Sequence, residues 1–158
     1  MSDSSEGESP SEIIDGTAVA FGTGALLLTG ASGSGKSDLA LRLIDAGARL
    51  IADDRVALIL RDGKVLCRAP RDMPPALKGR IEARGIGIIP VAVAEGPVPL
   101  HWCVDLVRGP VERLPAAENR RFLGIDVPLI RLDPLEASAV AKLRLAAACG
   151  PGLIMGRE

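Results

Sequence analysis

Residues 30–37 read Gly30-Ala31-Ser32-Gly33-Ser34-Gly35-Lys36-Ser37 and fit the phosphate-binding loop pattern G-x-x-x-x-G-K-[ST]. The glycines let successive backbone N–H groups point at one phosphate without a Cβ in the way. In loops of this kind the lysine reaches the β- and γ-phosphates of a nucleotide, and the hydroxyl binds Mg²⁺. We therefore predict that all eight residues bind a nucleotide or polyphosphate, with Lys36 on the phosphates and Ser37 on the metal.

The sequence on both sides of this loop fits the same interpretation. Residues 25–29 form an apolar run, which predicts a buried strand that leads into Gly30. Residues 38–46 carry apolar side chains at helical spacing, and Gly47 stands where a helix commonly ends. The positive end of this helix would then face the phosphate.

Composition narrows the class of protein. The chain has 158 residues, 47% of them apolar and 25% charged, which is typical of one globular domain. A net charge of −1 and only 2% aromatic residues argue against a nucleic-acid partner. Three widely spaced cysteines form neither a zinc pattern nor a disulfide framework, and no apolar stretch is long enough to span a membrane. We expect a cytoplasmic protein with a disordered acidic leader over 1–12, a P-loop domain over 13–150 and a C-terminal tail over 151–158.

Turn and strand patterns outline the rest of the domain. Two β-hairpins are predicted, one over 17–29 and one over 56–68 with its turn at Asp62-Gly63. Alternating residues over 100–106 predict a half-buried strand, with the single histidine, His101, on its polar side. Ser138 is predicted to cap a last helix.

Two adjacent carboxylates follow the strand predicted at residues 49–52, namely Asp53 and Asp54. A short right-handed crossover should place this strand close to the loop strand, so both aspartates should border the phosphate site. Phosphoryl transfer needs one carboxylate for Mg²⁺ and another group that orients the acceptor hydroxyl. An ordinary polar turn between two strands remains the alternative.

Three segments, in this order, resemble HPr kinase/phosphorylase, and specifically its catalytic domain alone. They are Ser32-Gly33-Ser34-Gly35-Lys36-Ser37, Ala52-Asp53-Asp54-Arg55-Val56 and Ile81-Glu82-Ala83-Arg84-Gly85-Ile86-Gly87-Ile88-Ile89. The resemblance covers residues 13–148. It implies an α/β P-loop fold of the HPr kinase/phosphoenolpyruvate carboxykinase type, with a mixed central sheet and flanking helices.

The resemblance also implies an activity and residue roles. The activity is ATP- and Mg²⁺-dependent phosphorylation of a serine on HPr, the phosphocarrier of the phosphotransferase system. The reverse reaction uses inorganic phosphate and yields pyrophosphate. Lys36 would contact the phosphates, Asp54 would accept or return the seryl proton, and Arg113 would lie near the transferred phosphate. The implied metal ligands are Ser37, Glu82 and, as a second metal-facing carboxylate, Asp53.

Several of these roles have simpler alternatives. Arg84 and Gly85 fall in a loop that the family uses in catalysis, although Gly85 could equally supply only a turn. On the residues alone, Glu82 and Arg113 could each be ordinary surface side chains.

The chain departs from the family pattern at two places. Asp15 stands where the family has a catalytic histidine, and an aspartate there would repel phosphate rather than attract it. Residues 133–137 replace a loop that is rich in arginine, proline and glycine in the family, and they contain no arginine. Both differences bear on the reverse reaction, and the second also bears on oligomer contacts.

We therefore expect a kinase that uses ATP and Mg²⁺, acts on an HPr-like phosphocarrier and forms a homo-oligomer. Two alternatives remain. One is a small-molecule kinase or NTPase built on the same loop. The other, which Asp15 suggests, is a nucleotide-sensing protein that binds HPr or a sensor kinase without transferring phosphate.

Overall fold

A computed structural model describes residues 9–157, which form one curled mixed sheet, two helices and a separate small hairpin. The elements in chain order are β1 (Ser11–Asp15), β2 (Thr17–Phe21), β3 (Gly24–Thr29), α1 (Lys36–Asp45), β4 (Arg49–Ala52), β5 (Arg55–Arg61), β6 (Lys64–Arg68), β7 (Arg80–Ala83), β8 (Gly87–Pro90), β9 (Val98–Leu106), β10 (Asn119–Phe122), β11 (Ile125–Leu132) and α2 (Ala139–Cys149). Short 3-10 turns lie at Pro75–Leu77 and Pro151–Leu153.

The long strand β9 organises the sheet. The strand order is β1-β5-β6-β9-β3-β2-β4, and β9 runs parallel to β3. On its other side β9 pairs first with β6 and then, over its last four residues, with the parallel strand β11, which carries β10. Because β3, β9 and β11 are parallel, they end at the same edge of the sheet, and the phosphate-binding loop follows β3 at that edge.

Both faces of the sheet are buried, but by different means. Helices α1 and α2 cover one face, where Leu39, Leu43 and Leu143 are fully buried. The curled outer strands cover the other face with Val56, Leu58, Phe122, Val127 and Leu129. A strand covered on both sides needs no polar alternation, and β3 is accordingly buried along its whole length.

The structure confirms both hairpins, which are β2–β3 and β5–β6. Helix α1 is confirmed as well, and Gly47 follows its C-cap, Ala46, with φ +113°. Within residues 9–157, no helix has the length and apolar character needed to cross a membrane.

Other expectations need correction. The chain enters the sheet at Ser11, two residues inside the predicted leader, and residues 1–8 lie outside the described part. Strand β9 is not half-buried at Cys103, because β9 lies in the middle of the sheet. The Ser138 side chain makes no capping hydrogen bond to the last helix. The strand before Asp53, β4, is not directly beside the loop strand β3, because β2 lies between them.

Candidate active site

The phosphate-binding loop leads straight into α1, whose first residue is Lys36. Gly33 and Gly35 adopt φ of +80° and +102°, a left-handed conformation that strains other residues. Lys36 Nζ donates hydrogen bonds to the carbonyl oxygens of Gly30, at 2.8 Å, and Ala31, at 3.0 Å. The lysine is therefore held over the loop at the positive end of the helix, where an anion is favoured.

The loop is too tight for a larger residue at its first position. A Cβ added to Gly30 would lie 2.7 Å from Ser34 Oγ and 3.2 Å from the Leu106 carbonyl oxygen. The buried Ser34 Oγ has no hydrogen-bond partner among the described residues. A buried hydroxyl without a hydrogen-bond partner destabilises the folded protein. A phosphate oxygen bound in the loop would accept a hydrogen bond from it.

Asp53 is fixed beside the loop by two hydroxyl groups. Its Oδ1 accepts a hydrogen bond from Ser37 Oγ at 2.8 Å and another from Thr17 Oγ1 at 3.0 Å. Ser37 lies in the first turn of α1, Asp53 follows β4, and Thr17 begins β2. The structure thus brings together the predicted metal residues Ser37 and Asp53, although β2 separates the strands that position them.

Asp54, the next residue, has φ +73°, which is uncommon for a residue other than glycine. Backbone strain of this kind is concentrated at functional sites. The Gly16 N–H donates to the Asp54 carbonyl oxygen at 3.0 Å, and Asp15 pairs with Arg55 in the β1–β5 ladder. Asp15 therefore lies next to the predicted acid/base residue along the sheet, with its side chain exposed.

A cleft of about 810 Å³ opens beside these aspartates, and its lining includes Asp53, Asp54 and Glu82. Glu82 belongs to β7, where Ile81 and Ala83 are buried and Glu82 itself is exposed. Within residues 9–157, no three acidic, histidine or cysteine side chains form a cluster able to hold a metal by themselves. Mg²⁺ is commonly held by one or two carboxylates together with substrate phosphates, so Ser37 and Asp53 fit such a site.

The remaining predicted residues lie farther out. Arg84 and Gly85 form the exposed turn between β7 and β8, where Gly85 has φ +91°. Arg113 lies in the exposed segment between β9 and β10 and is not among the described residues that line the cleft. Its role near a phosphate stays a prediction.

The segment that lacks the family's arginines packs against the phosphate-binding loop. Arg42 of α1 donates to the Pro134 carbonyl oxygen at 2.7 Å. The Asp133 carboxylate accepts hydrogen bonds from the backbone N–H groups of Gly109 and Leu135, both at 2.9 Å. The N–H groups of Leu135 and Gly109 lower the pKa of Asp133, since they favour its charged form. The segment therefore contacts α1, and its Pro134 ring lies beside Gly35 of the loop, 3.4 Å from where a Cβ on that glycine would stand.

Sequence reasoning missed Thr17, and it also missed Arg120, which contacts Thr29 immediately before the loop. Thr17 reaches Asp53 only through the β2–β4 pairing, in which Ala18 lies opposite Ala52, so that Thr17 and Asp53 are neighbours. Arg120 reaches the loop only through the β10–β11–β9 pairing. Neither pairing has a local signal in the sequence.

Comparison with known proteins agrees with this geometry. The family model described as HPr Serine kinase C-terminal domain matches residues 9–148. HPr kinase/phosphorylase of Limosilactobacillus reuteri is 44% identical over 87 residues, which cover 55% of this chain and 26% of that relative. HPr kinase/phosphorylase of Lactiplantibacillus plantarum is 38% identical over 123 residues, covering 71% of this chain and 38% of that relative. The chain thus spans well under half the length of these two relatives.

A solved structure supports the fold. The Hpr(Ser) kinase/phosphatase from Coxiella burnetii matches with a TM-score of 0.70 and 26% identity, over 87% of this chain and 88% of that chain. This likeness confirms the predicted α/β fold with its mixed central sheet, and the structure adds that the sheet is curled and the helices are few. The names of the relatives agree with the prediction of a serine kinase. By its sequence, its fold and its phosphate-binding loop, the chain belongs to the HPr serine kinase C-terminal domain family.

Proposed function

We propose that this domain transfers the γ-phosphoryl group of Mg·ATP to a serine of an HPr-like phosphocarrier. The observation that carries the proposal is the hydrogen bond of 2.8 Å between Ser37 Oγ and Asp53 Oδ1. Lys36 precedes Ser37 in the chain, and Asp54 follows Asp53. A phosphate-contacting lysine, a hydroxyl–carboxylate pair for a metal and a second carboxylate are the groups that phosphoryl transfer requires.

In this proposal the loop and α1 bind the nucleotide. The backbone N–H groups of residues 30–37 and the Lys36 ammonium neutralise the β- and γ-phosphates, and Ser34 Oγ gains a partner. Ser37 and Asp53 would hold Mg²⁺, which when bound withdraws charge from the phosphates. Glu82 faces the same cleft and is the proposed further ligand.

The acceptor enters from the cleft. Asp54 lines it and would accept the proton of the acceptor serine, then return a proton in the reverse direction. A volume of about 810 Å³ lies in the range of sites that enclose a drug-sized molecule, so the cleft has room for a seryl side chain and its neighbours. Arg113 is proposed to approach the transferred phosphate from the segment between β9 and β10.

The test is to incubate the purified protein with Mg²⁺, γ-labelled ATP and HPr, and to detect phosphoserine on HPr. Asp54→Asn should lower the rate by about 1,000-fold, the range of general acid–base catalysis, and leave the Kd for Mg·ATP within about twofold. Asp62→Asn is the matched control, because Asp62 also has positive φ, +54°, but lies in the β5–β6 turn. It should leave the rate unchanged.

Release of phosphate from ATP at a rate independent of HPr would instead favour the NTPase or small-molecule kinase. Equal loss of turnover and nucleotide affinity in Asp54→Asn would assign Asp54 to the metal rather than to the acceptor.

The reverse reaction is a separate part of the proposal. Incubating seryl-phosphorylated HPr with inorganic phosphate and Mg²⁺ should yield pyrophosphate. We also propose that the protein acts in the cytoplasm. We propose further that it forms a homo-oligomer, and light scattering of the purified protein tests this by measuring its molar mass.

The exposed Asp15 beside Asp54 favours one second candidate, a nucleotide sensor that does not transfer phosphate. A carboxylate at this place repels a phosphate oxygen and disfavours transfer. This reading predicts Mg·ATP binding without phosphoserine on HPr at any enzyme concentration, and activity gained on Asp15→His.

A further inference from the structure

A half-buried arginine, Arg120, contacts the end of the strand that leads into the phosphate-binding loop. One terminal nitrogen of Arg120, on β10, donates to Thr29 Oγ1 at 3.2 Å and lies 3.9 Å from Cys103 Sγ. Its other terminal nitrogen lies 3.7 Å from the Asp105 carboxylate. Thr29 is only 8% exposed and is the last residue of β3, directly before Gly30.

Thr29 links this arginine to the neighbouring strand. Its hydroxyl lies 3.3 Å from the Val104 carbonyl oxygen of β9, to which it donates, while it accepts from Arg120. The hydroxyl is thus used both as donor and as acceptor, which fixes its orientation. The end of β3 is therefore held at the point where the chain leaves the sheet to form the loop.

A second arginine holds Asp105 in place. Arg131 lies 3.9 Å from the Asp105 carboxylate and pairs with Glu118 through two bonds of 2.6 and 2.9 Å. The Asp105 side chain is 22% exposed. An ion pair that is partly shielded from water and forms part of a network is worth more than an isolated surface pair.

We propose that Arg120 is a positioning residue for the phosphate-binding loop. It fixes Thr29, and Thr29 is bonded to Gly30, whose carbonyl oxygen accepts the Lys36 Nζ hydrogen bond at 2.8 Å. Arg120 thereby keeps the loop in the geometry that binds phosphate, without touching the nucleotide. The inference rests on the proposed binding of Mg·ATP.

The test measures the Kd for Mg·ATP by calorimetry, and kcat and KM for transfer to HPr. Arg120→Met should raise the Kd and the KM for ATP about tenfold, the effect expected for a hydrogen bond from a charged donor, and leave kcat within about twofold. Arg120→Lys should recover part of the affinity. The matched control is Arg121→Met, because Arg121 is the next residue, is exposed and pairs only with Asp126 among the contacts described for it. Its Kd should equal that of the wild type.

A double-mutant cycle tests the route through Thr29. Thr29→Val should itself raise the Kd about fivefold, and adding Arg120→Met in that background should raise it by less than about twofold more. A merely structural role would lower the melting temperature without this coupling in affinity.

Three results would overturn the inference. Wild-type affinity in Arg120→Met, measured well below its melting temperature, leaves the proposed function standing and rejects the positioning role. A full tenfold loss in the Thr29→Val background also rejects it. If Arg120→Met does not fold, unchanged affinity in Thr29→Val rejects it. Absence of Mg·ATP binding by the wild type would be the failure of the proposed function itself, and would remove the inference with it.

Discussion

The two halves of the candidate site are built differently. In the nucleotide half, Lys36 donates hydrogen bonds to carbonyl oxygens of the loop, and Asp53 accepts hydrogen bonds from Ser37 and Thr17. All four bonds measure 2.8 to 3.0 Å. In the hairpin half, Glu82, Arg84 and Gly85 lie exposed on the β7–β8 hairpin, whose strands pair with each other and not with the main sheet. The first half is preorganised for a small anion, whereas the second presents its side chains to solvent, where the proposed phosphocarrier would meet them.

Among the variants that compare the two halves, the largest expected effect is in the nucleotide half. Lys36→Met should lower transfer by at least about 100-fold and raise the Kd for Mg·ATP, because a fixed charge at the phosphates is lost. The melting temperature should change little, since Lys36 bonds only to loop carbonyl oxygens among its described contacts. The control is Lys142→Met on α2, where the lysine pairs with Glu136. Retained transfer in Lys36→Met would show that the loop does not serve a nucleotide.

A second pair of variants separates the halves directly. Asp53→Asn should weaken Mg·ATP binding about tenfold, since it removes a charged metal ligand and weakens the bond to Ser37. Glu82→Gln removes the proposed further metal ligand, which is exposed on the hairpin, so it should weaken Mg·ATP binding by only about threefold and lower kcat for transfer about tenfold.

Calorimetry measures the Kd for Mg·ATP, and steady-state transfer to HPr measures kcat. If Glu82→Gln weakens Mg·ATP binding as strongly as Asp53→Asn, the hairpin belongs to the nucleotide half and the division is wrong.

The local parts of this site could be predicted from sequence. A single motif determines the loop, the start of α1 and the Lys36 position, because the residues involved are consecutive. The two β-hairpins were predictable for the same reason, since each turn joins strands that are adjacent in the chain. Asp54 was placed beside the site, but its positive φ was not foreseen.

The non-local parts could not be predicted. The insertion of β2 between β3 and β4, which brings Thr17 to Asp53, depends on pairing between distant segments. The contact between Arg120 and Thr29 joins residues 91 positions apart. Cys103 lies on the polar side of the predicted half-buried strand but is buried in the structure, and burial raises its pKa. These three features depend on how distant strands pair in the curled sheet, and no local sequence pattern indicates that pairing.

A third comparison concerns stability, measured as the free energy of unfolding in urea. Gly30→Ala should lower it by about 3 kcal/mol, because Gly30 has φ +148° and a new Cβ would lie 2.7 Å from Ser34 Oγ. Gly85→Ala should lower it by only about 1 kcal/mol, since φ there is +91° but no atom lies within 4 Å of the new Cβ. Equal losses would mean that the loop is no more tightly packed than the hairpin turn.

The smallest expected effect concerns the acid sensitivity of the nucleotide half. Asp133 accepts two backbone hydrogen bonds, from Leu135 and Gly109, next to the segment that contacts α1 through Arg42 and Pro134. These bonds lower the pKa of Asp133 in the folded protein, so the folded state binds its proton less readily than the unfolded state does. The stability that Asp133 contributes is therefore fully present above the unfolded pKa, about 4, and is lost as the pH falls through the lower folded pKa. Asp133→Asn should thus lower the melting temperature slightly at pH 7, and the difference from the wild type should shrink as the pH falls below about 4. A difference that stays constant as the pH falls would mean that Asp133 acts through its shape and not through its charge.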